Sequence, residues 1–132
     1  MDLELGLQLF SVRAALQRDA VGTLEKIAEI GYTHLQPAVH HAQSTDRVAG
    51  SLSASEFKRL VDRLGMNIQS VHAMVDEQTD WDRLVALNQD LGSSAVVVPI
   101  AFYTDRASAV AYAQALNRYG AICRKHGLRF YY

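Results

Sequence analysis

The sequence contains one cysteine, Cys123, so no disulfide can form within the chain, and a reducing, cytoplasmic compartment is expected. Its two prolines and eight glycines are scattered, which leaves no linker and no low-complexity segment. No apolar run approaches the length of a membrane span. The opening "MDLELGLQLF" lacks the basic region and long apolar stretch of a signal peptide. Net charge is almost nil: 13 Lys and Arg against 14 Asp and Glu give -1, too little to draw the chain toward nucleic acid or anionic lipid. No G-x-G-x-x-G follows the first strand-like run, so a dinucleotide fingerprint is missing. At 132 residues, one domain spanning 1–132 and one core are expected.

What is present is an alternation of short strand-like runs and amphipathic helices. "LELGLQLF" places Leu3, Leu5, Leu7 and Leu9 on one face and Gln8 on the other, the period-2 pattern of a strand. A loop is expected over "SVRAALQR". Asp19 then caps a helix with Leu24, Ile27 and Ala28 on its apolar stripe, and Gly31 ends it. "THLQPAV" is a second strand, weakened by Pro37, which lacks a donor. Ser53 and Glu56 form an S-x-x-E capping box ahead of Phe57, Leu60, Val61 and Leu64, with Gly65 as the stop. "NIQSVHA" is the third strand. Asp80 caps a helix carrying Trp81, Leu84, Leu87 and Leu91 inward, closed by Gly92. "AVVVPI" is a continuous apolar run, as in a central parallel strand covered on both faces. A long helix from about Asp105 to His126 is expected to face the core with Val110, Ala113, Leu116 and Cys123, before "LRFYY" begins a fifth strand.

Strands start near residues 5, 33, 67, 95 and 128, a spacing of roughly 30 residues that matches a βα unit with its crossover. The fold class is therefore α/β, with the architecture (βα)4β. Two arrangements fit it: half of a (βα)8 barrel, or an open parallel sheet. Strands of an open sheet are apolar on both faces, yet the first three carry polar groups on one face: Gln8, then His34 and Gln36, then Ser70 and His72. A barrel explains this, because one face meets the helices and the other points inward, lining a site at the carboxyl ends of the strands.

These segments resemble a known family. "GLQLFSVR", "TLEKIAEIGY", "LSASEFKRLVDRLGMNIQSVHA", "LGSSAVVVP" and "ICRKHGLRFYY" are similar, in order and spacing, to the sugar phosphate isomerase/epimerase family of xylose-isomerase-like barrels. The resemblance covers the whole chain. It implies a barrel of about twice this length, in line with the usual ~250-residue size, so the chain is expected to be an N-terminal half cut within strand five. It also implies aldose–ketose isomerisation, epimerisation or polyol dehydration, in which a divalent metal (Mn, Mg, Zn or Co) polarises a carbonyl or hydroxyl and carboxylates move the neighbouring proton. The family's glutamates, aspartate and histidine that hold the metal lie on later strands. No metal ligands are therefore assigned within this chain, and the chain alone is expected to be inactive. Two positions depart from the family: Gln36 stands where many relatives have Glu, and Tyr131 where Gly is usual. Alternative functions are an inosose-dehydratase-like lyase, an abasic-site endonuclease on the same barrel, and a non-catalytic assembly module. The near-neutral charge weighs against the endonuclease. The expected partners are a small sugar or polyol, and a second copy or the missing C-terminal half to cover the open face; nucleic acid and membrane are not expected.

Gln8, Phe10, Gln36 and His72 are the candidate substrate-binding residues. Gln8 and Gln36 offer amides to sugar hydroxyls, Phe10 a stacking face, and His72 a ring nitrogen at the barrel top. The alternative for each is local packing or bonding to neighbours. Tyr103 is a second loop aromatic of the same kind. His40 and His41 are adjacent, so in a strand they point apart, a poor start for a metal site. His126 in the last helical turn complements the negative dipole end. Arg13 reads as a solvated charge or a phosphate contact, Trp81 as packing, and Cys123 as a small core residue. Asp76, Glu77, Asp80 and Asp82 read as helix-start acids or, alternatively, an acid–base pair.

Overall fold

The computed structural model describes residues 4–39 and 47–132. His40 and His41 lie outside the described residues. Strand β1 (Gly6–Gln8) leads through a 3₁₀ turn at Leu9–Val12 into α1 (Arg13–Arg18) and α2 (Ala20–Ile30). Strands β2 (His34–Gln36) and β3 (Ala38–Val39) follow, then a hairpin of β4 (Arg47–Ala49) and β5 (Leu52–Ser53) ahead of α3 (Ala54–Arg63). Strands β6 (Asn67–Ile68) and β7 (Val71–Ala73), helix α4 (Trp81–Leu91), strand β8 (Ala95–Val97), helix α5 (Arg106–Lys125) and strand β9 (Arg129–Tyr131) complete the order.

Two of the expected strands are each split in two. Pro37 separates β2 from β3, yet its carbonyl still accepts from the His72 N–H at 2.9 Å, and the Leu35 carbonyl accepts from the Gln69 N–H at 3.0 Å. The ladder thus passes through both interruptions, and β2/β3 and β6/β7 behave as two strands. The break at Gln69–Ser70 also resets the side-chain period. Ile68 and Val71 are three residues apart, and both are buried among the core residues.

Every pairing between these strands is parallel, and the spatial order follows the chain: β1, β2/β3, β6/β7, β8, β9. That order decides between the two arrangements. An open doubly wound sheet reverses direction at a switch point; this one never does. With right-handed crossovers, a sequential parallel order puts every helix on the same side. The result is half of a barrel. Leu35, Val39, Val71, Ala73 and Val96 point to the helices and are buried with Leu24, Phe57, Val61, Leu84, Leu91 and Cys123. Each of the Leu, Val and Phe side chains among them stabilises by roughly 1.5–3 kcal/mol when fully removed from water.

The helix boundaries follow from local chemistry. Asp19 accepts from Gly22 N–H at 2.9 Å, Asp80 from Arg83 N–H at 3.0 Å and Asp105 from Ser108 N–H at 2.7 Å, each satisfying an orphan donor of a first turn. Ser53 and Glu56 form the reciprocal capping box. Gly31 and Gly92 close α2 and α4 in the left-handed conformation.

Three features differ from the sequence reading. The segment "SVRAALQR" is a 3₁₀ turn and a short helix, not a loop, because Ala14, Ala15, Leu16 and Gln17 all favour helix and Leu16 has a core position to fill. The β4–β5 hairpin has too few residues to show a period. On α5 the buried stripe is Ala115, Tyr119 and Cys123, while Val110 is 49% exposed and Ala113 is also exposed. Half-buried Leu116 does pack on the core. The apolar surface of α5 spans more than one face, and only the face against β9 and α4 is covered.

Gly50, at the turn of the hairpin, has φ of +57°. A methyl there would collide with the Leu16 carbonyl oxygen of α1 and crowd Ala20. The hairpin is thereby seated on the α1–α2 corner. Gly50→Ala is expected to destabilise the protein by more than about 1 kcal/mol, and Ser53→Ala by roughly 1 kcal/mol. Urea unfolding with unchanged midpoints for both variants would contradict these assignments.

Candidate functional site

The face of the sheet away from the helices carries the polar side chains. Register puts Gln8 beside Gln36, and Ala38, His72, Val97 and Tyr131 in one row across four strands. The sequence reading grouped Gln8, His34, Gln36, Ser70 and His72 on this face; the structure bonds four of them in pairs, while His34 lies beside Thr33 and Glu4. Gln8 Nε2 lies 2.8 Å from His72 Nδ1, and Gln36 Nε2 donates to Ser70 Oγ at 2.6 Å. Both pairs are partly buried. They join strand one to strand three and strand two to strand three.

Gln8 is held from two sides. Its Oε1 accepts from the Phe10 N–H at 2.8 Å, capping the 3₁₀ turn that ends β1, while Ser11 Oγ donates to its carbonyl at 2.6 Å. Phe10, next in that turn, is 43% exposed. The Arg13 guanidinium sits 4.2 Å over its ring and also donates to its carbonyl. Arg13, exposed at the start of α1, thus remains a solvated charge and also orders the Phe10 turn.

A second aromatic group lies at the carboxyl ends of β8 and β9. Tyr103 in the loop after β8, Tyr112 in the early turns of α5, and Tyr132 after β9 approach with ring centroids 6.5 and 5.8 Å apart. A hydrogen bond to Tyr103 is the largest cause that holds the Tyr132 hydroxyl above its ordinary range; for Tyr112 the largest cause is burial. Tyr103 was legible as a loop aromatic. Its partners were not, because no local period connects a loop, a helix turn and a strand end. Ile100 and Phe102 are exposed beside Tyr103 in the chain.

The remaining candidates are structural. Asp76 accepts from the Gln78 N–H and Asp80 caps α4. Glu77 instead reaches across to α5, accepting from Arg118 at 2.6 Å and from the Tyr119 hydroxyl at 3.2 Å. Those bonds hold its carboxyl below the usual range. Trp81 packs on the Tyr119 ring at 5.3 Å, and His126 is the C-cap of α5. Among the described residues no three His, Cys, Asp or Glu side chains converge to hold a metal ion. Gln8, Gln36, Ser70 and His72 offer amides, a hydroxyl and an imidazole, and this donor set does not fit a divalent cation.

Cys123 is fully buried, and burial pushes its thiol up to about 11. The raised value favours the neutral thiol of the folded state. The stabilisation is full below the ordinary value of 9 and is lost as pH rises to 11. At pH 8 a thiol reagent is expected to modify Cys123 only as the protein unfolds, and quickly in urea. Rapid stoichiometric labelling of the native protein would refute its placement in the core.

No family model and no curated protein matches the sequence. Solved structures do. A sugar phosphate isomerase/epimerase from Parabacteroides distasonis superposes with a TM-score of 0.79 at 24% identity, over 97% of this chain and 50% of that one. The probable 3-DHS dehydratase AsbF of Bacillus anthracis, involved in petrobactin synthesis, gives 0.66 at 11% identity over 97% and 51%. A xylose isomerase-like TIM barrel protein from Mycobacterium smegmatis, in complex with magnesium, gives 0.57 at 19% identity over 84% and 45%. The chain spans about half the length of the solved structures it matches. No helix among the described residues is long and apolar enough to cross a membrane. In fold, the chain is similar to one half of the xylose-isomerase-like barrels, the group that includes the sugar phosphate isomerase/epimerases.

Proposed function

We propose that this chain is the substrate-positioning half of a barrel enzyme that isomerises, epimerises or dehydrates a sugar or polyol. The observation that carries the reading is the set of paired polar side chains, Gln8 with His72 and Gln36 with Ser70, on the face and at the strand ends where a barrel places its site. Gln36 and His72 hydrogen-bond ligand oxygens, and Phe10 gives a stacking surface beside them. Amides and a hydroxyl suit hydroxyl and carbonyl groups better than they suit phosphate, and among the described residues no Lys or Arg joins the two pairs. Such enzymes use a bound divalent metal to polarise the reacting oxygen. The magnesium complex of the Mycobacterium smegmatis protein supports a metal in the whole protein. Its ligands would come from strands other than those described, and this half orients the substrate.

The sheet face is covered by further strands at β1 and β9, supplied by a continuation of the chain or by a second copy. Two copies of five strands total ten, where an eight-stranded barrel needs three more, so a continuation fits better. The chain alone is expected to self-associate through its open edges. Sedimentation showing a stable, folded monomer at micromolar concentration would contradict that.

The site reading is tested by titrating ¹⁵N-labelled chain with D-fructose, D-xylose and myo-inositol. At least one is expected to shift amides around Gln8, Gln36 and His72, and His72→Ala or Gln36→Ala to weaken its binding about tenfold, as for loss of one hydrogen bond to a partly buried group. Shifts elsewhere, or none with any of the three, would overturn the reading. Turnover of a ketose by the pure chain with added Mn²⁺ or Mg²⁺ would overturn the assignment of this half to positioning.

A further inference from the structure

Strand β9 sorts its side chains by face. Phe130 meets the helices: its ring centroid lies 6.4 Å from that of Tyr119, and its Cδ1 would stand 3.6 Å from a methyl placed on Gly120 of α5. Arg129 and Tyr131, one residue to either side, therefore point the other way, onto the face that carries the two polar pairs. The register agrees. Val96 pairs with Phe130 and is fully buried, whereas Val97 pairs with both His72 and Tyr131 and is half-buried. Tyr131 thus stands in one row with His72, two strands away, at about 9.5 Å between backbones. The residue between them is the short Val97. The Tyr131 side chain is 47% exposed, so its ring is open to a ligand. It is also held in place: the Arg129 guanidinium lies 5.9 Å from its centroid, and Arg129 itself donates to Ser94 Oγ at 2.7 Å.

We propose that Tyr131 is a specificity-determining residue of this face, an aromatic wall that selects ring-form sugars and cyclitols over open-chain polyols. The reason is the contrast across the row. Amides and a hydroxyl on strands one to three address hydroxyl groups, while the phenol ring on β9 addresses C–H groups. A pyranose or cyclitol with equatorial hydroxyls presents both at once: a rim of oxygens and a flat C–H face. An open-chain polyol has no such face, and several rotatable bonds must be frozen to imitate one. The spacing suits a single ring. Carbon contacts of about 3.5–4.0 Å on each side of it need roughly 7–8 Å between walls, which the row of about 9.5 Å supplies with no room for a second layer. Half-buried Val97 is the floor of that gap. This deepens the site reading above and rests on it for the polar side alone; the part played by the ring is tested separately.

The test is a titration of ¹⁵N-labelled chain with methyl β-D-xylopyranoside and myo-inositol, both locked rings, and with xylitol, an open chain. At least one ring compound is expected to bind more tightly than xylitol and to shift the amides of Val97 and Tyr131 together with those around Gln36 and His72. Tyr131→Ala is expected to weaken that ring compound about tenfold and to leave xylitol unchanged, whereas Tyr131→Phe, which keeps the ring, retains the preference. If Tyr131→Ala does not fold, Tyr131→Leu, apolar but without a ring, decides the matter. Ring compounds that bind Tyr131→Ala as well as the unsubstituted chain, with shifts confined to Gln8, Gln36 and His72, would overturn the proposal and leave the site reading standing. Shifts confined to Val97 and Tyr131 and lost in Tyr131→Ala would support the aromatic wall while the polar site reading falls. No shift with any of the three compounds would overturn both. Sedimentation of the same variants separates a further case: if Tyr131→Ala abolishes self-association but leaves ring binding intact, the ring belongs to a contact between copies and the proposal falls.

Discussion

The sequential parallel hydrogen-bond ladder is the constraint from which the rest of the structure follows. Because each strand pairs with the next one in the chain, and each crossover is right-handed, all helices are confined to one side of the sheet. That side is the core, and it takes up Leu35, Val39, Val71, Ala73 and Val96. The other side receives no helix, so it can carry amides, a hydroxyl and an imidazole without burying them in hydrocarbon. The ladder survives its two interruptions because each breaking residue still supplies the group the ladder needs: an N–H at Gln69, a carbonyl at Pro37. Pro37 has no donor to offer, but its carbonyl is the acceptor for His72.

The polar pairs turn that geometry into chemistry. A glutamine at the end of β1 would have been an ordinary cap of the following turn. Because the register sets strand one, strand two and strand three side by side, the amide that caps the turn also reaches a histidine two strands away. One side chain thereby ties the turn that ends the first strand to the third strand. The likeness to half of the P. distasonis and B. anthracis barrels has the same physical basis: the order of strands and helices is kept where few residues are.

How much of this was legible in the sequence depended on the range of the interaction. Caps and stops are local, and Asp19, Ser53 with Glu56, Asp80, Gly31 and Gly92 all read correctly because each acts within four residues of itself. The single polar face was visible too, since Gln36 and His72 sit at strand period among apolar neighbours. Long-range matters were not. Nothing near Tyr103 announces Tyr132, and nothing near Glu77 announces Arg118, which is 41 residues away. The misread stripe on α5 has a different cause. Val110 and Ala113 are apolar and correctly spaced for burial, but the helix has apolar residues around much of its circumference, so periodicity alone could not choose the covered side. The short helix α1 was missed because six residues are too few for a period to register.

The caps have a kinetic consequence. Each unit holds its own helix start, its own helix stop and a strand whose partner is the strand just before it. Contacts therefore close loops of roughly 30 residues and seldom longer ones, and short loops close quickly and at modest entropic cost. A nascent chain emerging from the ribosome can dock each strand on the previous one without waiting for residues not yet made. The topology thus permits vectorial assembly, with strand one as template and every later strand added to an edge that already exists.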